Sequence, residues 1–329
     1  MSIDPVWVLK YKGVDITSDL APMVTSVRYT DKLHGEADEI DVSVQDRDGL
    51  WRGPWCPEPG DTMELWYGRS EPSSYAGLFE LDEPEVSIGR GGDTMTMRGI
   101  AVPITKALRT EKSVEYDNKD VETIVREVAG RNGLSVSGSF NATRWRTKRQ
   151  RRMRDLEFIV ALGEDTDHYV SVRGSQVQFN KVDDVDRAEP AAKVSIHDRD
   201  FVSFTGRFET QDTHSGAKVS HLHDREKRTV EGEETDDRVK TGDTLRIVER
   251  VEDEAQAKLL ARSRLHHKNR RRRNGSLTMV ARDDLVAGTV IELLPDFGEW
   301  AGRYVADSSA HTLTRGPYPT VLELMEARA

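Results

Sequence analysis

Cysteine is almost absent: Cys56 is the only one in 329 residues. A single thiol forms neither an intrachain disulfide nor a multi-cysteine zinc site. Set between Trp55 and Pro57 with no evident base beside it, Cys56 reads as a packed thiol and not as a nucleophile. Long apolar runs are missing as well, and none approaches the roughly 20 residues that span a bilayer, so no membrane partner is expected. The opening Met1-Ser2-Ile3-Asp4-Pro5 has neither the basic nor the apolar region of a Sec-type signal. Assembly in a reducing cytoplasm fits all of this. An excess of positive charge is also lacking. The net charge of −10 argues against a dedicated nucleic-acid binder, whose affinity rests on neutralising phosphates.

What is present is enough chain for two or three domains, 36% hydrophobic and 32% charged. The first hundred residues read as strands. Met23 to Tyr29 precedes a polar turn at His34-Gly35-Glu36, and Ile40 to Gln45 alternates apolar and polar at period two. Further strand-like runs follow at Met63 to Tyr67, Leu78 to Leu81 and Thr94 to Arg98, as in a small barrel or sandwich. The middle changes character. Asp117 or Asn118 is placed to cap a helix whose stripe is Val121, Ile124, Val125 and Val128. A strand at Leu134 to Val136 and the basic stretch Arg144 to Arg154 come next. A second helix is expected from Asp155 to about Leu162, then a tight hairpin with Gly174-Ser175 at its turn. Strands return from about residue 193, interrupted by one amphipathic helix at about Asp253 to His267. The acidic segment Glu231 to Asp237 reads as a solvated loop tip.

The two β-rich regions resemble each other. Gly60-Asp61-Thr62-Met63-Glu64-Leu65 parallels Gly288-Thr289-Val290-Ile291-Glu292-Leu293, and Tyr75-Ala76-Gly77 parallels Trp300-Ala301-Gly302. An aspartate follows each of those glycines at the same spacing, Asp82 and Asp307, and each copy closes in an alternating strand. Four features in one order point to duplication, with two copies of a β unit flanking an α+β insert. The expected fold class is therefore mainly β with an α+β insert. Its domains are a first tube-like β-barrel at 1–105, the insert at 106–192, and a second barrel with one helix at 193–329.

At this point the chain resembles the phage late control protein D family of tail hub proteins, related to the hub half of the type VI secretion spike protein. The residues that carry the resemblance are Asp120 to Leu134, Asp155-Leu156-Glu157-Phe158-Ile159-Val160-Ala161-Leu162-Gly163, and the closing runs Gly288 to Leu293, Trp300 to Val305 and Tyr318 to Leu324. The resemblance implies a structural baseplate hub of a contractile phage-like tail. Three subunits would form a pseudo-hexameric ring that fits a sixfold tail tube to a threefold spike. The partners it implies are two further copies of the chain, the tail tube protein, baseplate wedge or adaptor proteins and the tape-measure protein, with DNA or cargo only in transit. Because the sequence stops soon after the second β unit, the central spike is expected to be a separate protein.

No Ser-His-Asp arrangement or pair of catalytic carboxylates stands out, so the chain does not read as an enzyme and no catalytic, cofactor or metal residue is assigned. His221-x-His223, with His214 nearby and His266-His267 more distant, lacks the remaining ligands of a metal shell and reads as a solvated barrel face. Asp46-Arg47-Asp48-Gly49 reads as a turn and not a calcium loop, and Gly89-Arg90-Gly91-Gly92 as a hairpin end. The basic run around Trp145 and Arg270-Arg271-Arg272-Arg273 have the look of nucleic-acid patches. In an acidic chain, protein contact or intramolecular pairing is the favoured alternative. Arg149, Arg151, Arg152 and Arg154 are the interface candidates. An adhesive or carbohydrate-processing tail component, or a nucleic-acid-binding tail protein, are the competing readings.

Overall fold

Period-two alternation in the first hundred residues folds as strands with one face on a core. A computed structural model describes residues 5–101, 110–210, 213–223, 227–240, 242–314, 316 and 318–328, and for His223 the backbone only. The domain boundary expected at 105/106 lies outside the described residues. The N-terminal region comprises β1 (Val6–Tyr11), β2 (Val14–Asp15), α1 (Thr17–Leu20), β3 (Val24–Lys32), β4 (Glu39–Gln45), β5 (Thr62–Gly68), β6 (Ser74–Ser87) and β7 (Thr94–Ala101). In β4 the inward residues Ile40, Val42 and Val44 are fully buried, and they meet Met63, Leu65, Phe79, Met95 and Met97 in one core. Burying each such side chain contributes about 2 kcal/mol.

The middle holds β8 (Lys112–Asp120), α2 (Val121–Arg131), β9 (Ser135–Gly138), β10 (Arg144–Met153), α3 (Asp155–Thr166), β11 (His168–Arg173), β12 (Gln176–Lys181) and α4 (Val182–Asp186). The apolar stripe of α2 is buried as its spacing predicts. Its cap is Asp120, however, and not Asp117 or Asn118. Strand pairing runs on to Asp120 opposite Arg144, and the Asp120 carboxylate accepts the Thr123 N–H at 2.8 Å. Helix α3 continues a turn beyond Leu162 and stops at Asp167, which is left-handed. β11 and β12 form the expected hairpin around Gly174-Ser175, and β9 joins β12 in parallel.

The C-terminal region contains β13 (Ala192–Val194), β14 (Phe201–Phe208), β15 (His214–His223), β16 (Arg228–Thr235), β17 (Asp243–Ile247), α5 (Glu254–Asn269), β18 (Arg273–Val280), β19 (Val290–Leu293), β20 (Gly302–Leu313) and β21 (Pro319–Glu326). Strands β15, β16 and β17 with α5 make a second small α+β layer around Val219, Val230, Leu260 and Leu265. The acidic segment is therefore no loop tip. Glu231, Glu233 and Glu234 lie in β16, whose inward positions Val230 and Gly232 are buried. Lys218 of β15 pairs with Glu231 at 2.9 Å and Glu233 at 2.8 Å. At Gly232 a Cβ would sit 2.3 Å from the Ala257 backbone, so only glycine lets α5 lie this close to the strand.

The repeat read from sequence recurs in the strand pairing. β3-β4-β7-β6-β5 in one half has the same neighbours, all antiparallel, as β14-β18-β21-β20-β19 in the other. Leu65 faces Gly77 as Leu293 faces Gly302, and both glycines have φ near +140° (137° and 140°), which side chains rarely adopt. Irregularities recur as well. Asp82 and Asp307 are each skipped in pairing with the next strand, and so are Thr25 of β3 and Val202 of β14. Shared bulges are features a fold retains.

The two halves differ at one end, where β1 joins β5 antiparallel and β13 joins β19 parallel. They merge because β20, beyond its bulge, pairs with β3 from Ser308↔Lys32 to Leu313↔Val27. One 13-stranded sheet results, and no closed barrel forms among the described residues.

Candidate functional site

The basic stretch Arg144 to Met153 is a strand, β10, in a two-stranded ribbon with β8. Trp145 and Gln150 are buried against the insert, whereas Arg144, Arg146 and Arg149 are exposed. The register breaks between Gln150 and Met153, where Arg152 has φ +45°, so Arg151 and Arg152 both project outward. Arg154, also exposed, leads into α3, and its N–H donates to Glu157 at 3.3 Å. The four interface candidates thus share one end of the ribbon beside the N-terminus of α3. Arg149 pairs with Glu115 at 2.8 Å, an exposed pair. Among the described residues the side chains of Arg151, Arg152 and Arg154 have no acidic partner. Beneath them, Asp155 is fully buried and accepts from Asn132 and Gln150 at 2.9 Å and from Lys112. Burial opposes its ionisation, but those donors still hold its carboxyl below the usual range.

The second run differs. Arg270 and Arg271 pair with Asp307 at 3.3 and 3.1 Å, and Arg272 and Arg273 with Glu326 at 2.7 and 3.3 Å. Two carboxylates of the C-terminal unit hold these four guanidinium groups, so intramolecular pairing accounts for where the run is placed.

A third cluster lies where the halves and the insert meet, and nothing in the sequence singled it out. Arg173 of β11 donates to both oxygens of Asp31 at 2.9 Å and to the carbonyl of Ala287 at 2.9 Å. The Ala287 N–H returns to Asp31 at 2.9 Å. Asp38 lies beside it, accepting the Lys32 N–H at 2.9 Å. Desolvation raises both carboxyls, Asp38 the further because the Asp31 charge adds to burial. Both are under 3% exposed (1% and 2%), with their oxygens engaged by neighbouring donors, so this carboxylate pair joins segments and opens to no substrate.

Nearby, Arg328 pairs with Asp167 at 2.7 Å and Asp183 at 3.3 Å, and Arg262 pairs with Asp183 at 2.6 Å. The Tyr169 hydroxyl bonds His266 at 3.1 Å and Asp186 at 3.2 Å, and burial lifts the Asp186 carboxyl to about 6. His267 stacks on His34, ring centroids 5.1 Å apart. Burial holds His266 and His267 well below their ordinary value.

Several expectations change here. His266 and His267 are not on a solvated face but packed between α5 and the insert, because the polar tail of α5 is covered by β11. The side chain of His223 lies outside the described residues. Among the described residues no group of three or more His, Cys, Asp or Glu is placed to hold a metal ion. Cys56 is exposed and not packed, since its loop turns outward between buried Trp51 and Pro57. Asp46 makes the expected turn, its carboxylate accepting the N–H groups of Trp51 at 2.9 Å and Arg52 at 3.3 Å. Gly89 and Gly92 close the β6–β7 hairpin through a 3.1 Å bond.

No protein-family model matches the chain. It is 27% identical over 184 residues to a probable baseplate hub protein of Escherichia phage 186, and 26% identical over 184 residues to its counterpart in phage P2. That match covers 55% of this chain and 46% of each relative, so the chain shares about half the length of these relatives. Among solved structures, a tail protein from Neisseria meningitidis superposes with a TM-score of 0.77 at 10% identity, covering 98% of this chain and 97% of that one. The E. coli c3393 protein, a type VI secretion component, gives 0.57 at 10% identity, over 96% of this chain and 76% of that one. The chain therefore has the fold of phage tail proteins and is similar, over more than half its length, to phage baseplate hub proteins.

Proposed function

We propose that this chain is a structural baseplate hub subunit of a contractile, phage-like tail. Three copies form a ring in which each chain supplies two tube-like β units. A ring of threefold symmetry then offers six similar units to the tail tube and three to the spike. The observation that carries this reading is the internal repeat of strand order and bulges, because a duplicated unit gives a chain twice its own symmetry. Similarity to phage baseplate hub proteins supports it.

The partners of such a hub are further copies of itself, the tail tube protein, a separate central spike protein, wedge or adaptor proteins and the tape-measure protein. DNA or cargo passes in transit only. The acidic balance of the chain suits a lumen that does not hold phosphate, and the end of the basic ribbon at Arg149, Arg151, Arg152 and Arg154 suits a protein contact. The place of action is the tail baseplate, after assembly in the host cytoplasm. Light scattering coupled to size exclusion tests the ring: a trimer or larger stacks are expected. A well-folded monomer that persists at micromolar concentration and above rules it out.

A further inference from the structure

At the seam where β20 pairs with β3, two buried donors have no acceptor. A cavity of about 400 Å³ opens beside the β20 bulge, walled by the β3–β4 turn, the end of α5 and residues of β14, β18 and β21. The His34 side chain lines it and is only 6% exposed. Its Nδ1 accepts the Val170 N–H at 2.9 Å, so the ring proton sits on Nε2. That buried N–H meets no hydrogen-bond acceptor among the described residues. The Glu164 carboxylate, 3.8 Å away, is beyond hydrogen-bonding distance. Arg270 supplies the second donor. Its Nη2 pairs with Asp307, while Nη1 is buried with no acceptor among the described residues.

Nothing on the cavity wall can make up the difference. Each of its carboxylates is already engaged: Glu36 by Lys32 at 2.8 Å, Glu209 by Asn274 at 2.8 Å, Glu323 by Ser276 at 2.9 Å, and Asp307 by two arginines at once. Arg207, also on the wall, has no acidic partner among the described residues. A buried donor without an acceptor destabilises the fold, and an acceptor that carries negative charge satisfies it most strongly. What the cavity lacks is such an acceptor.

We propose that this cavity binds a small oxyanion, a phosphate or a carboxylate, held by His34 Nε2–H and Arg270 Nη1–H. Arg207 and Arg271 stand at its rim and add positive charge. Glu36 and Arg271 are 66% and 62% exposed at the side chain, so the cavity reaches solvent and an anion can enter. His267, stacked on His34 with centroids 5.1 Å apart, holds the imidazole in place to receive it. The bound anion links the β3–β4 turn of the N-terminal half to the end of α5 in the C-terminal half. It therefore strengthens the joint that β20 and β3 form by pairing. This site goes beyond the hub role and operates within a single chain.

Thermal melts of the full chain at constant ionic strength, set with chloride, test the site. Inorganic phosphate is expected to raise the melting temperature along a curve that saturates, as binding to one site does. Acetate titrated in the same way separates the two sources, and the anion with the lower half-saturating concentration is the one the site takes. His34→Asn keeps an oxygen where Nδ1 accepts the Val170 N–H but removes the Nε2 donor. It is expected to raise the half-saturating concentration about tenfold. Arg270→Gln is expected to do the same, and if it fails to fold, His34→Asn still decides. Arg126→Gln, on the exposed side of α2, should respond as the native chain does. A melting temperature that neither anion moves, or that rises without saturating, leaves only water on these donors and overturns the site. So does a response that His34→Asn and Arg270→Gln retain in full, which marks an adventitious ion elsewhere.

Discussion

Arg173 reaches Asp31 with one guanidinium nitrogen 2.9 Å from each carboxylate oxygen, and this contact joins the insert to the N-terminal half. The same nitrogen donates to Ala287 of the C-terminal half, so three segments remote in sequence meet at one charged group. Arg173→Ala leaves a buried carboxylate without its cation, and the expected loss is about 3 kcal/mol. Chemical denaturation measures it. Arg173→Lys keeps a cation on β11 and is expected to recover part of the loss. A loss under about 1 kcal/mol would place the pair among ordinary surface bridges.

Asp38 gives a pH dependence of opposite sense to most carboxylates. Its folded value is raised, by burial first and the Asp31 charge second. Its contribution is full below the unfolded value of about 4 and is lost as pH rises through the folded value. Asp38→Asn removes that titration while an amide oxygen still accepts the Lys32 N–H. The variant is expected to match the native protein near pH 4 and to melt higher at pH 7. Parallel melting curves for the two proteins would refute this.

Histidines act in the other direction. Burial lowers His168 and His311 to about 4. Their neutral forms contribute stability that is full above the unfolded value of about 6.5 and is lost as pH falls toward 4. His311 sits between the Tyr318 hydroxyl at 3.0 Å and Ser309 at 3.3 Å. His311→Gln abolishes its titration, so the loss of stability from pH 7 to 5 should shrink by about 2 kcal/mol. Denaturant midpoints at the two pH values provide the measurement.

Gly232→Ala tests the second α+β layer. The added methyl would meet the backbone between Ala257 and Lys258, which cannot rotate away. A cost of about 3 kcal/mol is expected, with faster amide exchange along α5 while the β3–β4–β7 core stays protected. Uniform exchange across the chain would instead make the layer and the sheet one cooperative unit.

The basic ribbon distinguishes protein contact from nucleic-acid contact. Replacing Arg149, Arg151 and Arg152 with Ser removes only one exposed ion pair, worth about 0.5 kcal/mol, so the isolated fold should be unchanged. Assembly into particles is expected to fail. Normal particles with altered DNA retention would transfer the ribbon to nucleic-acid binding.

Local order was legible in the sequence because it depends on near neighbours. The stripe of α2 and the hairpin at Gly174-Ser175 follow from periodicity and turn chemistry that a short window contains. The duplication was legible too, since Gly60 to Asp82 and Gly288 to Asp307 preserve the residues that set a glycine-bearing strand pair and its bulge. Tertiary structure alone decided the rest. A run of glutamates became strand β16 because buried Val230 and Gly232 lie against α5, a helix that follows later in the chain. His266 became buried and His267 half-buried because Tyr169 of β11 packs on them, and Asp31 became a charged joint because Arg173 and Ala287 arrive from distant segments. Most consequentially, the fusion of two repeated halves into one sheet rests on β20 capturing β3. A strand's own residues specify which side chains alternate, while the partner that takes its open edge is specified by whatever edge the folded chain brings within hydrogen-bonding distance.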